Sequence, residues 1–229
     1  MTLIPAKTPL VVKKMFPNYI WNISPTKKTI YLTFDDGPTP EITDWTLKTL
    51  NAFNAKATFF CIGDNVKKYP DIFNNILKDG HAIGNHTFNH IKGWKTKHKD
   101  YIANIELCES TIKAQIPNSK FQNSQSSIAN HQFLTTNLFR PPYGQITPKQ
   151  GKNLIKRGYK IIMWDVLSFD WDNNTTQDKC LNHVISKSKN GSIIVFHDSI
   201  KASKNMTYAL PKILEYFSSK NYTFSTIKL

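Results

Sequence analysis

Arginine is scarce in this chain: Arg140 and Arg157 are the only two among 30 basic side chains, and the rest are lysine. Acids are sparse too, 16 in all, which leaves a formal charge of +14. A surplus of that size invites a nucleic-acid reading. Base-edge readout and bidentate phosphate clamps favour arginine, however, so the lysine surplus reads as a solvated surface and no nucleic-acid partner is predicted. The densest basic run, residues 92–99, is the stretch that could meet an anionic polymer. Cysteine is equally sparse. Cys61, Cys108 and Cys180 are odd in number and show no Cys-x-x-Cys, which indicates neither a disulfide framework nor a thiolate zinc centre. Cys61 follows the apolar run Ala57-Thr58-Phe59-Phe60 and reads as a small buried residue. Long apolar runs are missing as well, so no membrane span of ~20 residues is expected. The first 21 residues hold only short apolar pieces broken by Pro5, Pro9 and Pro17. They lack the apolar core of a secretory signal, and a cytoplasmic location is the default expectation.

What is present suffices for a packed α/β domain. Of 229 residues, 40% are hydrophobic and 12% aromatic, enough for an ordinary core. Strand-like runs fall at 30–34, 57–60, 81–84, 137–139, 160–164, 192–196 and 222–227. Helical spacing fills 41–53, 71–78, 99–116, 148–157, 177–187 and 204–218. This alternation argues for parallel β/α units with barrel-like closure. The helix from Pro148 carries start and stop signals: Thr147 as cap, Pro148 in its first turn, Gly158 beyond its end. Residues 28–229 are expected to form the domain, with 1–27 as an extension packed on the barrel. Residues 115–136, rich in Asn, Ser and Gln, read as a polar loop insertion, either a surface excursion or a shaper of a substrate groove.

The chemistry-bearing residues recur at strand ends. Asp35 and Asp36 close the first strand, and His86 and His90 follow the third. Arg140-Pro141-Pro142-Tyr143-Gly144 follows the fourth, Asp170-Trp171 trails the fifth, and His197-Asp198 ends the sixth. In β/α barrels such positions converge on one face. His86 and His90, four apart, can face the same way on one helical turn. Thr-Phe-Asn stands between them, without the glutamate of zinc peptidases, so a general base must come from elsewhere. A carboxylate would complete a two-histidine, one-acid set with open coordination for water. Neighbours in a strand point to opposite faces, so both aspartates serve one site only if the chain bends, and Gly37-Pro38 supplies a break. The same ligand set suits non-haem iron oxygenases, but that reading leaves the second aspartate and His197 unexplained. Metal-assisted hydrolysis accounts for both.

In this order the motifs resemble those of the NodB-homology polysaccharide deacetylases, carbohydrate esterase family four, across residues 28–227. The resemblance implies a distorted seven-stranded (β/α) barrel that binds a divalent metal, most often zinc. It assigns Asp36, His86 and His90 as metal ligands, Asp35 as base and His197 as acid. Asp170 would hold His197 cationic, and Arg140 would keep Asp35 ionised. The N–H of Tyr143 would stabilise the oxyanion, with Trp171 and Val195 flanking the acetyl methyl. The implied substrate is a carbohydrate, an N-acetylglucosamine-containing glycan, and the product is acetate; an O-acetyl esterase is the alternative. A glycan-binding module without catalysis would need neither acid nor base. Two departures stand out: Val195 replaces a usual leucine, and Leu167 aligns where an aspartate often stands, with Asp165 two positions off. His81, His98, His131 and His183 read as surface or satisfied histidines. Trp45 and Trp164 read as core, Trp94 could stack on a sugar ring, and Asp198 has no assigned role. The glycan, the native metal and the oligomeric state are left open.

Overall fold

β1 (Thr29–Asp35) is buried at all seven positions, as a strand covered on both faces of a parallel sheet must be. Its residues alternate. Ile30, Leu32 and Phe34 point outward into the main apolar cluster, while Tyr31 belongs to a separate inner cluster and Thr33 and Asp35 meet a buried arginine. The computed structural model describes residues 5–24, 26–116 and 137–229. Residues 117–136 of the expected polar insertion, and His131 with them, lie outside the described residues.

Seven parallel strands make one curled half-barrel. In chain order they are β1, β2 (Ala57–Cys61), β3 (Ala82–Asn85), β4 (Leu138–Phe139), β5 (Lys160–Ile161), β6 (Val166–Leu167) and β7 (Ile193–His197). Across the sheet they run β5-β4-β3-β2-β1-β7-β6, and β8 (Thr223–Phe224) pairs with the start of β1. Helices clad the outside: α1 (Leu10–Met15), α2 (Ile42–Ala52), α3 (Gly63–Lys68), α4 (Pro70–Lys78), α5 (His98–Gln115), α6 (Pro148–Lys156), α7 (Gln177–Lys187) and α8 (Ile200–Ser219). Leu50, Ile76, Val184 and Leu214 from four of them pack against Phe34, Phe59 and Phe196 of the strands. α6 starts as expected: the Thr147 hydroxyl accepts from the Gln150 N–H, and the Gln150 amide oxygen accepts from the Thr147 N–H.

The structure departs from the sequence reading in three places. The strand expected at 160–164 is only β5, and the chain then crosses to the opposite edge as β6. A two-residue strand is too short to show a period. The run expected at 222–227 pairs only through Thr223 and Phe224. α1 and α3, six residues each, were not anticipated.

The seam between β5 and β6 is bridged by the N-terminal segment. The Ile20 N–H donates to Ile161 O, Met163 N–H to Ile20 O, Thr8 N–H to Asp165 O and Leu167 N–H to Ala6 O. The buried Asp165 carboxylate fastens this segment by accepting from Lys7 Nζ at 2.6 Å, from Lys13 Nζ and from Ser192 Oγ. Among the described residues no helix is long and apolar enough to cross a membrane.

Candidate active site

Every strand of the half-barrel ends on the same side, and β1 delivers Asp35 there, 3% exposed. Arg140, fully buried after β4, reaches across the barrel to it. Its guanidinium donates to Asp35 Oδ1 at 2.7 Å, Thr33 Oγ1 at 2.6 Å, Met163 O at 3.0 Å and Ile162 O at 3.2 Å, and it lies 4.1 Å from the Phe60 ring centroid. A planar fork satisfies this many acceptors at once; an ammonium does not.

Asp36 leaves the strand with φ 81, the bend that turns its carboxylate to the same side as Asp35. The Asn65 side chain donates to Asp36 O at 2.7 Å. Behind the turn, Asp198 accepts from the Gly37 N–H at 3.1 Å and from the Thr43 hydroxyl at 2.6 Å. A Cβ on Gly37 would fall 2.0 Å from Asp198 Oδ2, so this approach demands glycine. The bond Gly37–Pro38 is cis.

His86 and His90 meet Asp36, though not as a helical turn. Residues 86–90 form a loop after β3, in which Thr87 has φ 65 and His90 φ 55. Side chains hold the loop in place of a helical ladder. Asn85 Oδ1 accepts from the Thr87 N–H, and Asn104 Oδ1 accepts from the Phe88 and Asn89 N–H groups. His86 Nδ1 is engaged by Arg140 O at 2.8 Å, which leaves its Nε2 aimed at Asp36 Oδ1, 3.7 Å away; His90 Nε2 is 3.2 Å from the same oxygen. Fixing one ring nitrogen by a backbone carbonyl is how ligating histidines are oriented.

These three residues fit a divalent cation. Their donor atoms lie within 4.8 Å of one another, and Asp36 Oδ1 is buried with no hydrogen-bond partner, an oxygen in want of a cation. Burial lowers the pKa of His86, and burial with the His86 ring lowers that of His90 to about 4, so both are neutral and able to ligate. For Asp36, burial works against ionisation, but nearby positive charge, led by His197, outweighs it and holds the carboxyl below its ordinary value. Asp36, Thr87, His90, Tyr143 and Phe169 all have positive φ. Such backbone strain in non-glycine residues concentrates at functional sites.

On the far wall, His197 ends β7 and pairs with Asp170. His197 Nδ1 lies 2.9 Å from Asp170 Oδ1, and its backbone N–H donates to Asp170 Oδ2 at 2.7 Å. Burial alone would disfavour the imidazolium, but Asp170 overrides it and raises the pKa to about 9. Trp171 sits edge-on to His197 at 4.6 Å between centroids. Val195 shares the inward face of β7 two residues below His197. Tyr143, at φ 59, places its ring 4.6 Å from that of His90. All ten residues singled out from the sequence therefore gather at one end of the half-barrel.

The polysaccharide deacetylase family model matches residues 22–162. The chain belongs to the polysaccharide deacetylase family. This deacetylase is 31% identical over 213 residues to a peptidoglycan-N-acetylglucosamine deacetylase of Bacillus cereus, covering 90% of each chain. It is 33% identical over 177 residues to a chitooligosaccharide deacetylase of Azorhizobium caulinodans, covering 77% of this chain and 76% of the relative. Its structure resembles the crystal structure of the Bc1960 peptidoglycan N-acetylglucosamine deacetylase, with a TM-score of 0.81, 30% identity, and 96% and 95% of the two chains covered.

Four further residues shape the site of this deacetylase without a role assigned from the sequence: Thr33, Asn65, Asp198 and Asn205. The Asn205 amide bridges Asp170 O and Thr175 O and so braces the loop that carries Asp170. Of the four, Asp198 carried a signal in its adjacency to His197 and Thr33 in its place two residues before Asp35. Leu167, aligned where an aspartate often stands, is buried in β6 beside Val195, while Asp165 serves the N-terminal lysines. His81 is buried, and its Nδ1 accepts from the Ala57 N–H; His183 Nδ1 is 3.2 Å from Ser168 O.

Proposed function

We propose that the protein removes acetyl groups from N-acetylglucosamine units of a glycan, releasing acetate and leaving a free amine. The observation that carries this reading is the gathering, at one end of the half-barrel, of three metal-type donors, an arginine-paired carboxylate and an aspartate-paired histidine. Relatives named for peptidoglycan and chitooligosaccharide deacetylation support the choice of an N-acetylated sugar. Asp36, His86 and His90 would hold the cation, and two neutral imidazoles with one carboxylate suit zinc. A divalent ion there supplies a Lewis acid that lowers the pKa of water towards neutrality and polarises the acetyl carbonyl.

The chain's own groups do the proton work. Asp35, ion-paired with Arg140, accepts a proton from the attacking water. The Tyr143 N–H donates to the oxygen that gains charge as the carbonyl carbon becomes tetrahedral. His197, cationic beside Asp170, gives its proton to the leaving nitrogen, which cannot depart as an amide anion. Trp171 and Val195 bound the space for the acetyl methyl. Acetate release from N-acetylglucosamine oligomers by the zinc-loaded protein tests the reading, with loss expected in Asp35→Ala and His197→Ala. No acetate from any acetylated glycan, amide or ester would overturn it.

A further inference from the structure

Beside the catalytic pocket a cleft of about 240 Å³ opens between the N-terminal segment and the loop that carries Tyr143. Phe16, Tyr19, Trp94, Tyr143 and Trp164 line it. Three of these rings are open to solvent: Trp94 is 66% exposed, Tyr143 54% and Phe16 39%. Large aromatics gathered in one exposed hollow mark a binding surface.

The Trp94 ring is fixed through its one polar atom, and hydrogen bonds brace the segments around it. The Trp94 indole N–H donates to Ile146 O at 3.1 Å, the neighbouring Trp21 N–H donates to Phe16 O at 3.1 Å, and the Thr8 hydroxyl closes off Trp164 O at 2.8 Å. Phe16 stacks on Tyr19 at 5.5 Å. Gly144, at φ 67, lies so close over Trp164 that a Cβ would sit 2.6 Å from its ring. What the cleft presents is the exposed rings of Trp94 and Phe16, because the Tyr143 ring is already engaged by His90 and by Lys92 Nζ, 4.6 Å from its centroid. It is also continuous with the chemistry, because the Tyr143 ring that borders it is the one packed on His90. A ligand there is therefore joined to, or lies against, the group being hydrolysed. A pyranose ring fits: its axial C–H bonds make a flat, weakly positive face that matches the negative face of an aromatic ring.

We propose that this cleft is a sugar-binding subsite in which Trp94 and Phe16 hold the ring adjoining the unit whose acetyl group is hydrolysed. The proposal rests on the glycan deacetylase reading and adds a preference for chains over single sugars. Trp94 and Phe16 are specificity-determining residues that act on substrate binding.

The test measures KM and kcat on the N-acetylglucosamine pentamer and monomer for the zinc-loaded full chain and for Trp94→Ala, Phe16→Ala and Trp94→Tyr. Direct pentamer titration in an Asp35→Asn background accompanies it, and a thermal melt verifies folding of each variant. The alanine variants should raise pentamer KM and weaken pentamer binding about five- to tenfold, with the loss falling in KM, and Trp94→Tyr should restore most of it. Pentamer KM and affinity unchanged in both alanine variants would overturn the subsite, as would an equal loss on the monomer. Trp94-dependent pentamer binding by a protein that releases no acetate would sink the deacetylase reading and leave the sugar cleft standing. Acetate release indifferent to Trp94 and Phe16 would do the reverse.

Discussion

Asp35 and His197 are register partners on the adjacent parallel strands β1 and β7. Backbone pairing therefore sets the separation of the proposed base and acid, and the Asp198 N–H bonded to Asp35 O at 3.1 Å continues that pairing past the strand ends. Each side chain is ion-paired with its own partner, Arg140 on one wall and Asp170 on the other. Asp35→Asn and His197→Ala should each lower kcat on an N-acetylated oligomer about 10²- to 10⁴-fold. Because the two act in one reaction, the double variant should lose far less than the product of the single losses. A double loss equal to that product would show that they work independently.

The His197–Asp170 pair sets an alkaline limit. As the proposed acid, His197 would have to be protonated to release an amine, and its pKa is raised to about 9, with burial opposing and Asp170 outweighing it. Activity on an amide should therefore fall as pH rises through about 9, and Asp170→Asn should move that limb to lower pH. The same shift is a stability term: a folded pKa above the unfolded value of about 6.5 stabilises fully below pH 6.5 and is lost as pH climbs towards 9. An acetyl ester, whose leaving oxygen needs less proton assistance, should lose less activity than the amide in His197→Ala. Rate profiles on paired amide and ester substrates give both answers.

Asp36, His86 and His90 should behave as one unit towards zinc. Chelation should abolish acetate release and lower the melting temperature, since an ion that binds only the folded chain stabilises it, and readdition of zinc should restore both. His90→Gln should lower the zinc content measured by elemental analysis. A protein that keeps full activity and an unchanged melt after exhaustive chelation would rule out the metal.

Much of this site was legible because its residues sit in short contiguous motifs at strand ends, where the alternation of β and α told where each would emerge. The motifs did not give the local conformation. The spacing of His86 and His90 suits a helical turn, yet they lie in a loop with positive φ at Thr87 and His90, built by Asn85 and Asn104 side chains that carry no recognisable pattern. Asp198 was opaque for a different reason: its partners Gly37 and Thr43 lie 161 and 155 residues away, a pairing no local period reveals. Asp165, two positions off the motif aspartate that Leu167 replaces, is claimed by two lysines of the N-terminal segment.

Arg140 should not tolerate lysine. A lysine at this fully buried position cannot reach Asp35, Thr33 and two carbonyls together, so the acceptors at Ile162 and Met163 would be left unpaired at about 1–3 kcal/mol each. Arg140→Lys should therefore lower both stability and kcat. Arg140→Met, which strands the Asp35 carboxylate without a counter-charge, should destabilise by about 3–5 kcal/mol. Denaturant unfolding with parallel acetate assays separates the two effects, and native stability with native kcat in Arg140→Lys would show that the fork geometry is dispensable.

Asp165 should govern whether the N-terminal segment stays docked. Its buried carboxylate is compensated by Lys7, Lys13 and Ser192, and those contacts fasten the strip that covers the β5–β6 seam. Asp165→Ala removes the acceptor and leaves Lys13, itself mostly buried, without its counter-charge, which should destabilise by about 3–5 kcal/mol. Asp165→Asn keeps the shape but loses the charge, so it should cost less. In both variants limited proteolysis should cleave within residues 5–24 faster than in the parent, while the barrel fragment persists. Because Phe16 and Tyr19 ride on this strip, the same variants should also weaken pentamer binding. Cleavage at the parental rate would show that backbone pairing alone holds the segment, with the carboxylate incidental to it.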